Sequence, residues 1–402
     1  MNMKEIIGLN IQQIIAEKKI NISELIDHLK ISRQTLSNYI KGTSVIDSIK
    51  LYQLAEFLSV PMEDFFKETK DTPSYQLLFR TSLSQEESSL AVQDYVIDYV
   101  ETHKRLLELL DEYTITFPQN YSLYVKNNGT NCDINKCLKE YVKSSSYLSV
   151  ELRNQIENIA NDQRKILNAE NLVGFDLINA IAESGIHIFF VDFKNDSISG
   201  VSAITENSGC YIFVNCYPTI TLERQIFTIA HEYGHIIMHR PFYKKDHTNN
   251  SYLNPKEMAV LDRMANEFAG DFLCPKYLLN SYKPVLQDII RFNDLYPIKH
   301  HFQISLSALI IALKKAGYVS PSQVKRYFDL LEFNGMEKQE MLPLKDIPLV
   351  IEQYNKIKNS VINNKIQMLV MNSRIDDDQI FDIVKNSEFE QVYLDCLRQK
   401  NN

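Results

Sequence analysis

Residues 231–235 read His-Glu-Tyr-Gly-His, inside the apolar-periodic stretch QIFTIAHEYGHIIMHR that runs from Gln225 to Arg240. No other feature restricts the fold as much. The apolar flanks ask for a helix buried on most sides. Residues four apart share a helix face, so His231 and His235 aim ring nitrogens at one point. That spacing is the His-Glu-x-x-His signature of a zinc site, in which Glu232 acts as general base toward a zinc-bound water. The metal lowers the pKa of that water to about 7, so hydroxide is available at neutral pH. Two histidines do not close such a site. A catalytic zinc (Zn2+) takes three protein ligands and one water, so a second element must bring a further ligand to the buried helix.

His239 is not that ligand. At 1.5 Å per residue it lies about 12 Å along the axis from His231. It suits a supporting or helix-end role, since histidine is favourable at a helix C-terminus. No glycine turn with a third histidine follows. A carboxylate from another helix remains. Residues 256–273, KEMAVLDRMANEFAGDFL, form that helix, stopped by Pro275. Asp262, Asn266 and Gly270 share one face, and Glu267 and Asp271 share the neighbouring one. Asp262 and Asn266 make an acid–amide pair, the acid for the metal and the amide to orient a histidine. Glu267 is the competing carboxylate.

LERQIFTIAHEYGHIIMH followed by LDRMANEFAGDFLCP resembles the ImmA/IrrE family of metallopeptidases. GFDLINAIAESGIHIFFVDF, GVSAI and CYIFVN upstream and SLSALIIALKKAGYVS downstream extend the resemblance over residues 160–335. It implies a gluzincin-like peptidase domain with a small sheet. It implies zinc held by His231, His235 and Asp262, with Glu232 as the base for peptide hydrolysis. The family usually has Glu where this chain has Asp262, one methylene shorter, so either the two helices sit closer or zinc binds more weakly. Family members typically cleave a helix-turn-helix repressor encoded nearby and release mobile-element or stress genes. The implied protein substrate is such a repressor, this chain included. Backbone groups of the strand around Tyr211–Asn215 are candidates to hold it as an added strand.

The N-terminal segment is a second signature. LNIQQIIAEKK reads as a first helix. Asn21 with Glu24 forms a capping box for ISELIDHLK. Ser32 caps SRQTLSNYIKG, in which Leu36 and Tyr39 face inward and Gly42 ends the helix. IDSIKLYQLAEFLSVPMEDFF supplies two more short helices. The segment resembles the Xre-type helix-turn-helix of phage repressors. The resemblance implies a third helix in the major groove of a double-stranded DNA operator, bound as a homodimer on an inverted repeat. Arg33, Gln34, Ser37 and Asn38 carry donors and acceptors suited to base edges. Lys30, Lys41 and Lys50 suit phosphates. Residues 28–50 hold Lys30, Arg33, Lys41 and Lys50 against Asp47 alone, so the basic character is local. Ile22 stands where the family often has Gln, which removes one phosphate contact.

The expected fold class is mainly α (α+β). A five-helix helix-turn-helix domain spans 1–70, a helical connector 71–160, the peptidase domain 161–335 and a helical extension 336–402. The net charge of −8 excludes a general nucleic-acid coat and fits one confined DNA contact. Cys132, Cys137, Cys210, Cys216, Cys274 and Cys396 form no CxxC pair and read as small buried apolar residues in a reducing cytosol. No apolar run reaches membrane length and MNMKEIIGLN carries no secretory core, so the expected location is cytoplasmic, with no membrane partner.

Residues 71–76 read as a linker, and 86–113 as a long amphipathic helix whose apolar stripe is core packing. Residues 127–133 read as an exposed loop around the Asn128-Gly129 turn, and Asp376–Asp378 as a solvated helix start. The alternative from another class is a repressor or antitoxin-like protein, its zinc domain sensory or structural, that binds a toxin or regulatory partner.

Overall fold

The computed structural model describes residues 3–400 except 19, 21, 41–42, 59, 67–75, 80–85, 111–116, 128–129, 145–146, 206–208, 244–252, 287–290, 334–341, 359–360, 373–374, 386 and 388. It divides into two compact units, Met1–Ser74 and Tyr75–Asn402.

The first unit contains α1 (Met3–Glu17), α2 (Ile22–Leu29), α3 (Arg33–Ile40), α4 (Ser48–Leu58) and a 3-10 turn at Met62–Phe65. Leu25, Leu29, Leu36, Leu51, Leu54, Leu58 and Phe65 make its core. Ser32 caps α3, its hydroxyl accepting from the Thr35 backbone N–H at 3.0 Å. Gly8 lets α1 lie directly on the end of α3, since a Cβ there would strike the carbonyl oxygens of Tyr39 and Ile40. Asn10 donates to the Phe65 carbonyl at 2.9 Å and ties the last turn to α1. The caps expected at Asn21 and Gly42 lie outside the described residues.

The second unit opens with β1 (Gln76–Phe79), α5 (Glu86–Leu109), the strands β2 (Tyr124–Asn127) and β3 (Thr130–Asp133), α6 (Ile134–Ser144), α7 (Val150–Ile166) and α8 (Gly174–Glu183). Its centre is β4 (Ile186–Val191), β5 (Gly200–Thr205), β6 (Gly209–Asn215), α9 (Leu222–Met238), the short α10 (Arg240–Tyr243) and α11 (Pro255–Leu273). Then follow α12 (Lys276–Leu279), α13 (Lys283–Leu286), α14 (Leu295–Phe302), α15 (Leu306–Ala316), α16 (Pro321–Phe333), α17 (Pro348–Lys358), α18 (Val361–Met371), α19 (Asp377–Val384) and α20 (Glu390–Lys400).

The main sheet has the order β1-β5-β6-β4, with β4 parallel to β6 and the other pairs antiparallel. It is buried on both faces, which is why its central strands read as nearly unbroken apolar runs. Ile186, Ile188, Ile204, Ile212 and Val214 face the core shared with α8, α9 and α11. The alternate residues Phe189, Val191, Val201, Ala203, Tyr211 and Phe213 face a second core. There they meet Val92, Val96, Tyr99 and Val100 of α5, Ile366, Leu369 and Val370 of α18, and Ile380 and Val384 of α19. Each fully buried Phe or Ile contributes about 1.5–3 kcal/mol. The connector helix and the C-terminal helices, read from sequence as separate segments, thus cover one face of the same sheet. The stripe of α5 is core packing, as its periodicity implied.

Three local expectations are corrected. Of the expected linker 71–76, residues 71–75 lie outside the described residues and Gln76 opens an edge strand, Gln76–Phe79. Residues 127 and 130–133 lie in the paired strands β2 and β3 rather than in a loop, with Asn127 opposite Thr130. Cys132, Cys216 and Cys396 are only partly buried, although none of the six cysteines is in a disulfide.

Two buried cations hold the periphery. Arg164 donates to the carbonyls of Phe272, Glu170 and Leu172 and to the Tyr277 hydroxyl, so it caps the end of α11. Lys299 pairs with Glu223 at 2.9 Å, and Glu223 also accepts from the Leu344 N–H, fixing residue 344 to the start of α9. No described helix is long and apolar enough to cross a membrane.

Candidate metal centre and nucleic-acid face

Thr221 starts α9, its hydroxyl accepting from the Arg224 N–H at 3.3 Å. Every residue from Ile229 to Met238 is buried. α11 begins with a capping box, Asn254 accepting from Lys256 and Glu257 while Glu257 accepts from the Asn254 N–H. Pro255 occupies the first helical position. The two helices pack on each other at Gly234. A Cβ there would lie 2.8 Å from Phe268 Cδ1, so the glycine permits the close approach that a short Asp262 side chain requires.

The approach brings three donors together. His235 Nε2 lies 3.0 Å from His231 Nε2, and Asp262 Oδ1 lies 3.5 Å from His235 Nε2 and 4.0 Å from His231 Nε2. Donor atoms of the three residues lie within 4.8 Å of one another, the only such described group of His, Cys, Asp or Glu. The outer nitrogens are held. His231 Nδ1 is 2.9 Å from Asn266 Oδ1, and His235 Nδ1 is 2.9 Å from His239 Nδ1. With Nδ1–H of His231 donated to the amide oxygen, its Nε2 carries a lone pair toward Asp262. Burial, reinforced by His235, pushes the His239 pKa well below the usual histidine value, so its ring is neutral and accepts from His235 Nδ1–H. The second Nε2 then also presents a lone pair. Two lone pairs and a buried carboxylate oxygen that makes no hydrogen bond among the described residues suit a cation between them. Two imidazoles and one carboxylate match the donor preference of Zn2+.

Glu267, the competing carboxylate, points elsewhere. It and Asp271 both accept from Lys315 Nζ at 2.6 Å. Glu232 sits beside the cluster, buried, and Ser202 of β5 donates to its Oε2 at 2.5 Å. Sequence reasoning missed Ser202. Its only signal is a hydroxyl at an inward position of an otherwise apolar strand. The strand Tyr211–Asn215 is part of β6, paired on both sides by β5 and β4, so it has no edge for an added substrate strand. That expectation is corrected.

In the first unit, Arg33 and Gln34 are exposed at the start of α3, while Ser37 and Asn38 are half-buried. Gln34 donates to Asn38 Oδ1 at 3.0 Å, so the two amides form one polar surface. Lys30 is exposed, with positive φ, but Lys50 Nζ donates to the Leu29 carbonyl at 2.5 Å and to Gln53. Lys50 therefore caps α2 and is less available to a phosphate than expected. Lys41 lies outside the described residues.

Residues 10–71 match the family model of the Cro/C1-type helix-turn-helix DNA-binding domain. Residues 181–314, from the end of α8 into α15, match that of the IrrE N-terminal-like domain of peptidase M78. The chain thus joins a helix-turn-helix domain to an ImmA/IrrE-type domain, in a mainly α fold. No curated protein and no solved structure matches it.

Proposed function

We propose that this fusion is a DNA-binding transcriptional regulator whose second unit is a zinc-dependent endopeptidase. It relieves repression by cleaving a helix-turn-helix repressor, either this chain or a partner. The observation that carries the reading is the convergence of His231, His235 and Asp262 beside a buried Glu232.

His231 Nε2, His235 Nε2 and Asp262 Oδ1 would hold the metal. Bound zinc supplies Lewis acidity for the scissile carbonyl and for water. Glu232 takes a proton from the attacking water as the C–O bond forms, and passes it to the amine nitrogen as the C–N bond breaks. Ser202 fixes the carboxylate by its hydrogen bond, so the base is oriented before a peptide arrives. Asn266 and His239 keep the outer protons on Nδ1 and the inner lone pairs on Nε2.

On the DNA side, Arg33, Gln34, Ser37 and Asn38 meet base edges and Lys30 and Lys41 meet phosphates. Exposed Val45, Ile49 and Tyr52 supply an apolar surface for a homodimer on two half-sites.

The test is Glu232→Gln. The variant should keep about one zinc per chain by metal analysis, because Glu232 is not a ligand. It should cut its repressor 10²–10⁴-fold more slowly, the usual loss with a positioned base. In cells it should stay repressed under a signal that relieves repression in the wild type, with operator binding unchanged. Normal derepression by Glu232→Gln would remove hydrolysis from the switch.

A further inference from the structure

The position of β1 gives the candidate metal centre an occupant. Gln76–Phe79 runs antiparallel to β5, with Gln76 opposite Ile204, Leu77 opposite Ala203, Leu78 opposite Ser202 and Phe79 opposite Val201. β5 is the strand that lies over the middle of α9. Its Ser202 donates to Glu232, and a Cβ on its Gly200 would come within 3.7 Å of Glu232 Cγ. Neighbouring strands are about 4.8 Å apart. The backbone of Leu78 is therefore one strand spacing from the residue that holds the candidate base.

The other side of β5 is closed by β6, and the far edge of the sheet, β4, is separated from β5 by β6. Among the described strands, the outer side of β5 is the one sheet edge next to Glu232. An extended peptide satisfies its backbone N–H and C=O groups by adding to such an edge. β1 makes that ladder with four residues of the same chain.

Building on the peptidase reading above, we propose that the outer edge of β5 is the peptide-binding edge of the metal centre. In the intact chain it is filled by residues 76–79, which follow directly on the DNA-binding unit. The ligand class is an extended backbone, supplied first in cis. A protein substrate in trans has to displace β1 before it reaches Glu232. Four residues make a short ladder, which a longer incoming strand can outcompete.

The test is a binding measurement on the full-length Glu232→Gln chain, so that nothing is cut. The probe is a fluorescent peptide with the sequence of residues 73–82. Leu77→Pro with Leu78→Pro removes two successive N–H groups, one of which faces β5, and frees the edge. This chain should bind the peptide at least tenfold more tightly than the strand-intact chain. Those of its Val201–Ile204 amides that face β1 should exchange faster, and the peptide should restore their protection. Equal binding by both chains, or binding by neither, overturns the proposal.

A second variant guards against misfolding of the first. Leu77→Cys with Ala203→Cys joins two residues that face each other across the ladder. The oxidised protein should take up less peptide than the same protein after reduction, and equal uptake in both states also overturns the proposal. Neither readout needs hydrolysis. A chain that cuts no protein at all would end the peptidase reading and leave these results standing.

Discussion

Gly234 stands where any side chain would push α11 off α9. Asp262 reaches the two histidines because that space is empty. Gly234→Ala should therefore weaken zinc by tenfold or more in a chelator competition and cost about 1–3 kcal/mol in a denaturant melt, as overpacking does. Adding Asp262→Glu should recover part of the zinc affinity and none of the stability, since one methylene restores reach but not packing. No recovery would mean that the helix spacing does not set the ligand. A second comparison separates the carboxylates. Asp262→Ala should strip the metal, and Glu267→Ala should leave it bound, because Glu267 is engaged by Lys315. Metal retained by Asp262→Ala would refute the ligand set. These residues were legible because helix periodicity fixes which side chains share a face. Ser202 was not, because what it faces depends on how a strand lies over α9, and periodicity does not contain that.

At the scale of elements, α9, α11 and α3 could be read from apolar periodicity, with Pro275 as the stop of α11 and Ser32 as the start of α3, a cap that the hydrogen bonds reproduce. Thr221 and the Asn254–Glu257 capping box are start signals that periodicity alone passed over. β4, β5 and β6 were implied by the family resemblance, and burial on both faces leaves the apolar runs that carry it. β1 and the β2–β3 hairpin are four-residue strands without such runs, and their pairing partners are either distant in sequence or joined by two residues. The order that places β6 inside the sheet is a long-range property too, so the substrate strand was assigned to the wrong place. α3 supports a prediction of its own. Gln34→Ala or Asn38→Ala should lower the preference for the operator over unrelated DNA by about 1–3 kcal/mol. Lys41→Ala should weaken both DNAs alike and flatten the salt dependence. Gel shifts at two salt concentrations check this, and an unchanged operator preference in both amide variants would take base reading away from α3.

The second unit as a whole is a sheet with the candidate metal centre on one face and a histidine pair on the other. His103 of α5 lies against His187 of β4, ring centroids 4.3 Å apart, and its Nδ1 is 3.2 Å from the Tyr211 hydroxyl. Burial, then His187 and Lys365, pushes His103 well below the usual histidine pKa. Burial, then Lys365, brings His187 down to about 4. Both rings are neutral when folded, while the unfolded chain takes up protons near pH 6.5. The stability they lend is complete above that pH and is lost as pH falls toward 4. The His187 share of the loss should be on the order of 2 kcal/mol, discounted because its ring is only partly buried. His187→Phe should flatten melting temperature against pH between 6.5 and 4, and a profile as steep as the wild type's would assign acid sensitivity elsewhere.

The same face has a consequence in time. It is sealed by α5, which precedes the central strands β4–β6 in sequence, and by α18, α19 and α20, which follow them. On the ribosome, Met1–Ser74 is complete when most of the chain is still unmade, and domains generally fold N-terminal first. The sheet cannot close on that face until α20 has been made. Each newly made molecule therefore passes through an interval in which its helix-turn-helix unit is finished and its candidate catalytic unit is not. Premature termination before α18 would freeze it there, with the helix-turn-helix unit made and that face of the sheet open.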